Sequence, residues 1–252
     1  MVLPLKVDSL VKAYGNIVAV NGISFEVKKG EVFGLIGVNG AGKSTTLRIV
    51  ATLLKPTSGK VEVYGKDVVN EAEKVRDIIS YLPEEAGTYK NMTGKEFLNF
   101  IASVKLPEKD REERVKWAME RSGLGERINS LTGTYSKGMK RRVLLVATLM
   151  GNPQLAILDE PTSGMDVLHA LFLRKVIKDY VKETGNAVLL SSHNMLEVAY
   201  MCDRVAILHA GVIVETGRPD ELISKYSVSN LEEVFREVVS KSKEAVSVVQ
   251  RT

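Results

Sequence analysis

The sequence predicts an α/β chain with a mostly parallel sheet, an antiparallel β part at its start and a helical insert in its middle. Three observations carry this. Val32 to Ile36 (VFGLI) runs apolar without alternation, as in a strand buried on both faces, and a glycine-rich turn and a helical pattern follow it at once. From Thr93 to Met150 the spacing is helical and rich in charge. Short apolar strands then return at Leu155 to Leu158, Ala187 to Leu190 and Val205 to Leu208.

Taken in order, Leu5 to Leu10 and Gly22 to Val27 read as strands ahead of the buried one. Ser44 to Leu54 has helical periodicity that stops at Lys55-Pro56, and Thr57-Ser58-Gly59 makes a turn. Lys60 to Tyr64 (KVEVY) alternates, which suits an exposed strand. In the helical middle, Phe97, Phe100 and Ile101 are expected on one face, Leu124 to Gly133 as a loop, and a long helix from near Ser136. A hairpin-like continuation follows at Gly211 to Val214. In the tail, Ser229-Asn-Leu-Glu232 has capping-box spacing, and Leu231, Val234, Phe235, Val238 and Val239 form one helical face. That helix is read as docked on its own domain, with a protein-contact helix as the alternative. The expected division is a core at 1–84 and 154–225, a helical subdomain at 85–153 and a C-terminal amphipathic extension at 226–252.

Composition narrows the function. With 252 residues, 44% hydrophobic and 26% charged, the chain is ordinary globular material, so collagen-like and wholly disordered classes are excluded. The 35 basic and 31 acidic residues leave only +4, spread along the chain, so no nucleic-acid partner is expected. A single cysteine, Cys202, excludes a disulfide-stapled domain. The longest apolar runs, such as Val143 to Met150, fall short of the about 20 residues a spanning helix needs. No signal peptide is visible at the start, so a soluble, intracellular chain is expected.

Two motifs carry the chemistry. Gly37-Val38-Asn39-Gly40-Ala41-Gly42-Lys43-Ser44, followed by Thr45, matches G-x-x-x-x-G-K-[ST] between a buried strand and a helix, the context of a P-loop. Its glycines let successive backbone N–H groups curl into an anion nest, and the helix N-terminus adds a positive partial charge. Lys43 is then placed to reach the β- and γ-phosphates and Ser44 to hold Mg²⁺. Leu155 to Leu158 ends in Asp159-Glu160. A buried carboxylate at a strand end needs a partner, and Mg²⁺ on the phosphates supplies one for Asp159. Glu160 beside it can polarise a water for in-line attack on the γ-phosphate. The chain thus reads as a P-loop NTPase core with ATP and Mg²⁺ as its ligands. His169 and His209 read as surface residues, and the histidines and cysteine show no zinc-ligand spacing.

Over residues 5 to about 225 the sequence resembles the ATP-binding subunit of an ATP-binding cassette (ABC) transporter. The residues carrying the resemblance are the two motifs above together with Tyr135-Ser136-Lys137-Gly138-Met139 at the signature loop, Pro161 to Asp166 (PTSGMD) at the D-loop, Ser191-Ser192-His193 at the switch histidine and Tyr14 at the adenine-stacking aromatic. The resemblance implies a head-to-tail dimer with a second ATP-binding subunit, a second copy of this chain. Ser136 and Gly138 then meet the opposite γ-phosphate, Asp166 couples the two sites and His193 contacts the γ-phosphate. It also implies an integral membrane permease as partner and a place on the inner face of the cell membrane. From the residues alone, Tyr14 can instead be a core aromatic, Ser136 a plain N-cap and His193 a loop histidine. The basic cluster Lys137, Lys140, Arg141 and Arg142 is expected to meet phosphate or water.

Two departures stand out. Tyr135, Lys137 and Met139 replace three of the five residues of the family's Leu-Ser-Gly-Gly-Gln, and Glu84 stands in Tyr81-Leu82-Pro83-Glu84 where glutamine is usual. Glu84 is a candidate Mg²⁺ ligand that adds negative charge near the γ-phosphate. Both departures, with Asn230 to Phe235 (NLEEVF), resemble cassettes that serve ABC-2-type permeases, which mostly export drugs, ions or glycans. A soluble ABC ATPase acting on ribosomes or DNA is the alternative, disfavoured by the short insert, the single cassette and the weak net charge. A P-loop kinase would leave Asp159-Glu160 and Ser136-Lys137-Gly138 as accidents.

Overall fold

Strands β1 (Leu5–Tyr14) and β2 (Ile17–Val27) pair antiparallel in the computed structural model, which describes residues 2–249. Both are longer than their apolar stretches suggest, because hairpin pairing from Tyr14 to Ile17 extends them through polar positions. Strand β3 (Val32–Ile36) leads through the glycine loop into helix α1 (Lys43–Val50). That helix ends short of Leu54, because Thr52 takes a left-handed φ of 63°. Strands β4 (Ser58–Val63) and β5 (Lys66–Asp67) complete a four-stranded antiparallel sheet in the order β2-β1-β4-β5.

Helix α2 (Ala72–Arg76) precedes β6 (Ile79–Leu82), a strand the sequence pattern did not single out, which stops at Pro83. The helical insert follows with α3 (Gly94–Lys105), α4 (Glu108–Ser122) and α5 (Lys137–Leu149). The expected loop at Leu124 to Gly133 holds two 3₁₀ turns, Gly125–Asn129 and Thr132–Thr134. On α3, Phe97, Leu98 and Ala102 are buried, whereas Phe100 is 38% exposed, so the expected Phe97/Phe100/Ile101 face is only partly covered. A capping box between Thr93 and Glu96 fixes where α3 starts.

The chain then returns to a six-stranded sheet through β7 (Leu155–Leu158), α6 (Val167–Thr184), β8 (Ala187–Ser192), α7 (Met195–Met201), β9 (Arg204–His209) and β10 (Val212–Gly217). Strand order is β10-β9-β3-β8-β7-β6, parallel throughout except for the β9–β10 hairpin. Phe33, Leu35, Leu155, Ile157 and Leu189 face the core shared with the antiparallel sheet and α1. Val32, Ile36, Ala156, Leu158 and Leu190 face the core shared with α3 to α7. Burial on both faces is the physical reason these strands show no alternation.

Helices α8 (Pro219–Tyr226) and α9 (Leu231–Val249) close the chain. Leu231, Val234, Val238 and Val239 are buried, and α9 packs on α7, α8 and β10, so this helix is docked on its own chain. Its cap lies one residue later than the sequence pattern suggested. Asn230 Oδ1 accepts from the Glu233 backbone N–H, and Glu233 accepts from the Ser229 N–H, because helical dihedrals begin only at Leu231. Residue 1 and residues 250–252, the ends of two of the expected ranges, lie outside the described residues.

Candidate active site

The loop between β3 and α1 is shaped by glycine. A side chain on Gly37 would collide with the Leu208 carbonyl, and one on Gly42, at φ 107°, with the Ala19 carbonyl. Residues Asn39 to Thr45 line a cavity of about 390 Å³ with Ala19, Glu84 and Glu160. The N-terminal turn of α1, with its free backbone N–H groups and dipole, opens there. Lys43 Nζ donates to the carbonyls of Gly37 (2.7 Å) and Val38 (3.2 Å) and forms an ion pair with Glu160 Oε1 at 3.3 Å.

The two carboxylates at the end of β7 are buried, Asp159 at 1% and Glu160 at 5% exposure. Asp159 Oδ1 accepts from Ser44 Oγ (3.0 Å) and Ser191 Oγ (2.6 Å), and Oδ2 accepts from the Tyr81 hydroxyl at 3.3 Å. Burial, reinforced by the Asp159 charge, pushes the Tyr81 hydroxyl up to about 12, so it stays a donor. Glu160 sits at a left-handed φ of 46°, which turns its carboxylate back to Lys43 and to His193. His193 Nδ1 lies 2.8 Å from Glu160 Oε2, and the His193 backbone N–H donates to the same oxygen at 3.3 Å. Glu160's own N–H donates to Ser191 Oγ at 2.9 Å.

Glu84 also lines the cavity, and its side chain accepts a long hydrogen bond from Ser163 Oγ, 3.5 Å. The oxygen set formed by Ser44 and Asp159 has the hard-ligand chemistry that suits Mg²⁺, with phosphate and water completing the shell. Among the described residues no group of three or more His, Cys, Asp and Glu could hold a metal by itself.

The remaining predicted residues lie elsewhere in the chain, and none lines this cavity. Ser136 is the N-cap of α5 and accepts from the Met139 N–H at 3.2 Å. Asp166 caps α6, accepting from the His169 N–H at 3.0 Å, and its second oxygen lies 2.6 Å from His169 Nδ1. That contact holds the Asp166 carboxyl below the usual range, chiefly through the His169 N–H. It also presses the His169 ring against Gly138, where a side chain would have no room. His169 is thus a structural neighbour of the Ser136–Gly138 loop rather than an isolated surface residue. Tyr14 is 47% exposed with the Lys12 ammonium 5.0 Å from its ring centre, which disposes of a core role.

One expectation is overturned outright. Arg141 is committed to the protein instead of to phosphate or water; it is 8% exposed and its guanidinium donates to the carbonyls of Pro83, Glu84, Asp159, Glu160 and Pro161. Burial lowers its pKa, opposed by the Asp159 and Glu84 charges. The five donors of one planar fork therefore stitch the turn after β6 to the turn after β7. Arg142 lies over the Phe172 ring at 3.9 Å. Sequence reasoning missed Tyr81, Ser191 and Arg141 as parts of the site. Only Ser191 carried a signal, as the neighbour but one of His193.

The chain's residues 20–163 match the family model described as ABC transporter. It is 37% identical over 240 residues to the linearmycin resistance ATP-binding protein LnrL of Bacillus subtilis, covering 92% of this chain and 77% of that one. To the bacitracin transport ATP-binding protein BcrA of Bacillus licheniformis it is 34% identical, covering 84% of this chain and 68% of that one. Among solved structures, an ATP-binding subunit of an ABC transporter superposes with a TM-score of 0.82 at 30% identity, covering 93% of this chain and 99% of that one. CbiO1 from Clostridium perfringens, described as part of the transporter complex cbiONQ, superposes at 0.81 with 28% identity, covering 99% and 100%.

Proposed function

We propose that this chain, which belongs to the ABC transporter family and is an ATP-binding, ATP-hydrolysing subunit of that family, drives export through a separate membrane permease by closing and opening a dimer around ATP. The observation that carries the site reading is the pairing of Lys43 and His193 with Glu160 and of Ser44 with Asp159, at 2.8 to 3.3 Å, beside the cavity that Lys43, Ser44 and Glu160 line.

In this reading the loop Gly37 to Thr45 wraps the phosphates of ATP, with Lys43 turning from Glu160 toward the β- and γ-phosphates. Ser44 and Asp159 would hold Mg²⁺, which when bound offsets the phosphate charge. Glu160 accepts a proton from the attacking water as its oxygen bonds to the γ-phosphorus and the bond to the β-bridging oxygen breaks, giving ADP and phosphate. His193 contacts the γ-phosphate and Tyr14 stacks on adenine. Ser136 and the Gly138 N–H, at the start of α5, meet the γ-phosphate held by the partner copy, and Asp166 joins the two sites. Glu84 faces the same phosphates as a further oxygen ligand.

The core at 1–84 and 154–225 would bind the nucleotide, and the insert at 85–153 would pass its motion to the permease. The segment Glu84 to Met92 and α3 would dock a short helix of that partner, where exposed Tyr89 and Phe100 lie edge-on at 5.5 Å. Among the described residues no helix is long and apolar enough to cross a membrane, and in this reading a separate permease does the crossing. Export is supported by the two relatives named for linearmycin resistance and bacitracin transport.

The test is the solution mass of the Glu160→Gln protein with and without Mg-ATP. A shift from monomer to dimer on adding ATP is expected. A protein that binds ATP and stays monomeric at every concentration would overturn dimer closure between identical copies.

A further inference from the structure

Glu197, on the first turn of α7, carries no role in the reaction as described so far, yet both of its carboxylate oxygens are engaged by residues of other segments. Its Oε2 accepts from Thr162 Oγ1 at 2.6 Å, and its Oε1 forms an ion pair with Arg174 Nη2 at 3.1 Å. Its backbone N–H donates to Asn194 Oδ1 at 3.1 Å, the cap of α7. The Thr162 residue is 6% exposed, and the Glu197 and Arg174 side chains are 14% and 15% exposed. Three segments thus meet on one carboxylate: the turn after Glu160, the helix that follows Asp166 and the helix that follows His193.

The connections are short in chain terms. Thr162 lies two residues after Glu160, and its carbonyl accepts from the Met165 N–H, next to Asp166. His193 lies four residues before Glu197, and Asn194 binds both the Ser192 hydroxyl and the Glu197 N–H, so loop and first helical turn move as one piece. Glu160 and His193 are therefore held to each other twice, directly through Glu160 Oε2 and indirectly through Thr162–Glu197. A carboxylate this buried costs free energy unless paired, and both of its oxygens are. No bond in this bridge touches the P-loop cavity.

We infer that Glu197 is a positioning residue for ATP hydrolysis, a strut that fixes the switch loop carrying His193 against the turn that carries Glu160 and leads to Asp166. The inference rests on the reading of His193 as a γ-phosphate contact and adds the element through which its position is transmitted. A helix shift at His193 reaches Asp166 through Glu197 and Thr162, not through the phosphate.

A double-mutant cycle on single-turnover hydrolysis tests it. Thr162→Val removes the hydrogen bond at constant volume and is expected to slow hydrolysis about tenfold, with KM for ATP changed less than about threefold. Thr162→Ser, which keeps the hydroxyl, restores the rate, and Glu197→Gln, which keeps an acceptor for Thr162, loses less than Thr162→Val. In a His193→Ala background, Thr162→Val is expected to cost less than about twofold more. An equal tenfold loss in both backgrounds, or an undiminished rate for Thr162→Val with His193 present, overturns the strut. His193→Ala alone at the normal rate would overturn the underlying role of His193 and the strut with it. Should Thr162→Val fail to fold, the same cycle is run with Glu197→Gln, where additivity with His193→Ala overturns the inference and non-additivity supports it.

Discussion

Lys43 Nζ lies 3.3 Å from Glu160 Oε1, so the cation of the phosphate loop and the acid at the end of β7 are one buried ion pair. The pairing ties together two motifs more than a hundred residues apart in the chain. It also means that an incoming phosphate competes with Glu160 for the same ammonium. A carboxylate released from Lys43 keeps its contact with His193.

Replacing Glu160 with glutamine removes the base and leaves the shape. Hydrolysis should fall by about 10²- to 10⁴-fold, while ATP binding is kept, because Lys43 loses a competitor for its charge. Phosphate release and fluorescent-nucleotide titration of Glu160→Gln check the two halves separately. Turnover at the normal rate would remove Glu160 from the chemistry.

Glu84→Gln should retain or raise ATPase activity. The substitution takes a negative charge from the wall of the phosphate cavity and leaves intact the bond that Arg141 makes to the Glu84 backbone carbonyl. Steady-state hydrolysis across a Mg²⁺ titration is the measurement. A loss of more than about tenfold would mean that the Glu84 carboxylate itself takes part.

Arg141→Met keeps the length of the side chain and removes the guanidinium from five carbonyls, of which those of Pro83 and Glu160 still accept from the Ala86 and Ser163 N–H groups. Buried polar groups left unpaired cost about 1–3 kcal/mol each, so the loss should reach at least about 3 kcal/mol. Thermal unfolding should then shift down by roughly 6–12 °C for a chain of this size. A shift within about 1 °C would show that the turns after β6 and β7 hold without it.

Cys202 is buried under Gly34, and burial pushes its thiol pKa well up. The folded value is raised, so the thiol leaves stability unchanged below the unfolded thiol's pKa of about 8.5 and lowers it as pH rises above that, by up to about 1.4 kcal/mol per pH unit. Tyr81 and Tyr180, each pushed up to about 12, add to the same fall above pH about 10. Urea midpoints between pH 8 and 10 should decline, and Cys202→Ala should flatten that decline. An identical slope in the two proteins would place the alkaline sensitivity elsewhere.

Legibility in the sequence followed locality. The phosphate loop could be read because its glycines, its lysine and the helix it opens are contiguous, and backbone amides do the binding. Asp159-Glu160 could be read because two acids end an apolar strand downstream of a phosphate loop, a pattern that is weak without that loop. Arg141 could not, because its partners are backbone carbonyls, which any residue offers, drawn from two distant turns. Tyr81 could not, because β6 was not singled out as a strand, and only its pairing with β7 sets the Tyr81 hydroxyl on Asp159. His169 read as surface because nothing in its neighbours foretold that α6 would lay its ring on Gly138.

The sequence by itself determined the fold class and the phosphate-binding and carboxylate motifs, since each rests on periodicity or on contiguous residues whose chemistry is local, and the order of its motifs carried the resemblance to the family. Only the tertiary structure decided which groups restrain them. The parallel order β3-β8-β7 brings Lys43, Glu160 and His193 to adjacent strand ends, and the strand ends then fix Ser191, Tyr81, Arg141 and Glu197 around them. Such partners are chosen by distance in three dimensions, and a hydroxyl, a guanidinium or a carboxylate carries no mark in the sequence of the acceptor or donor that folding will place beside it.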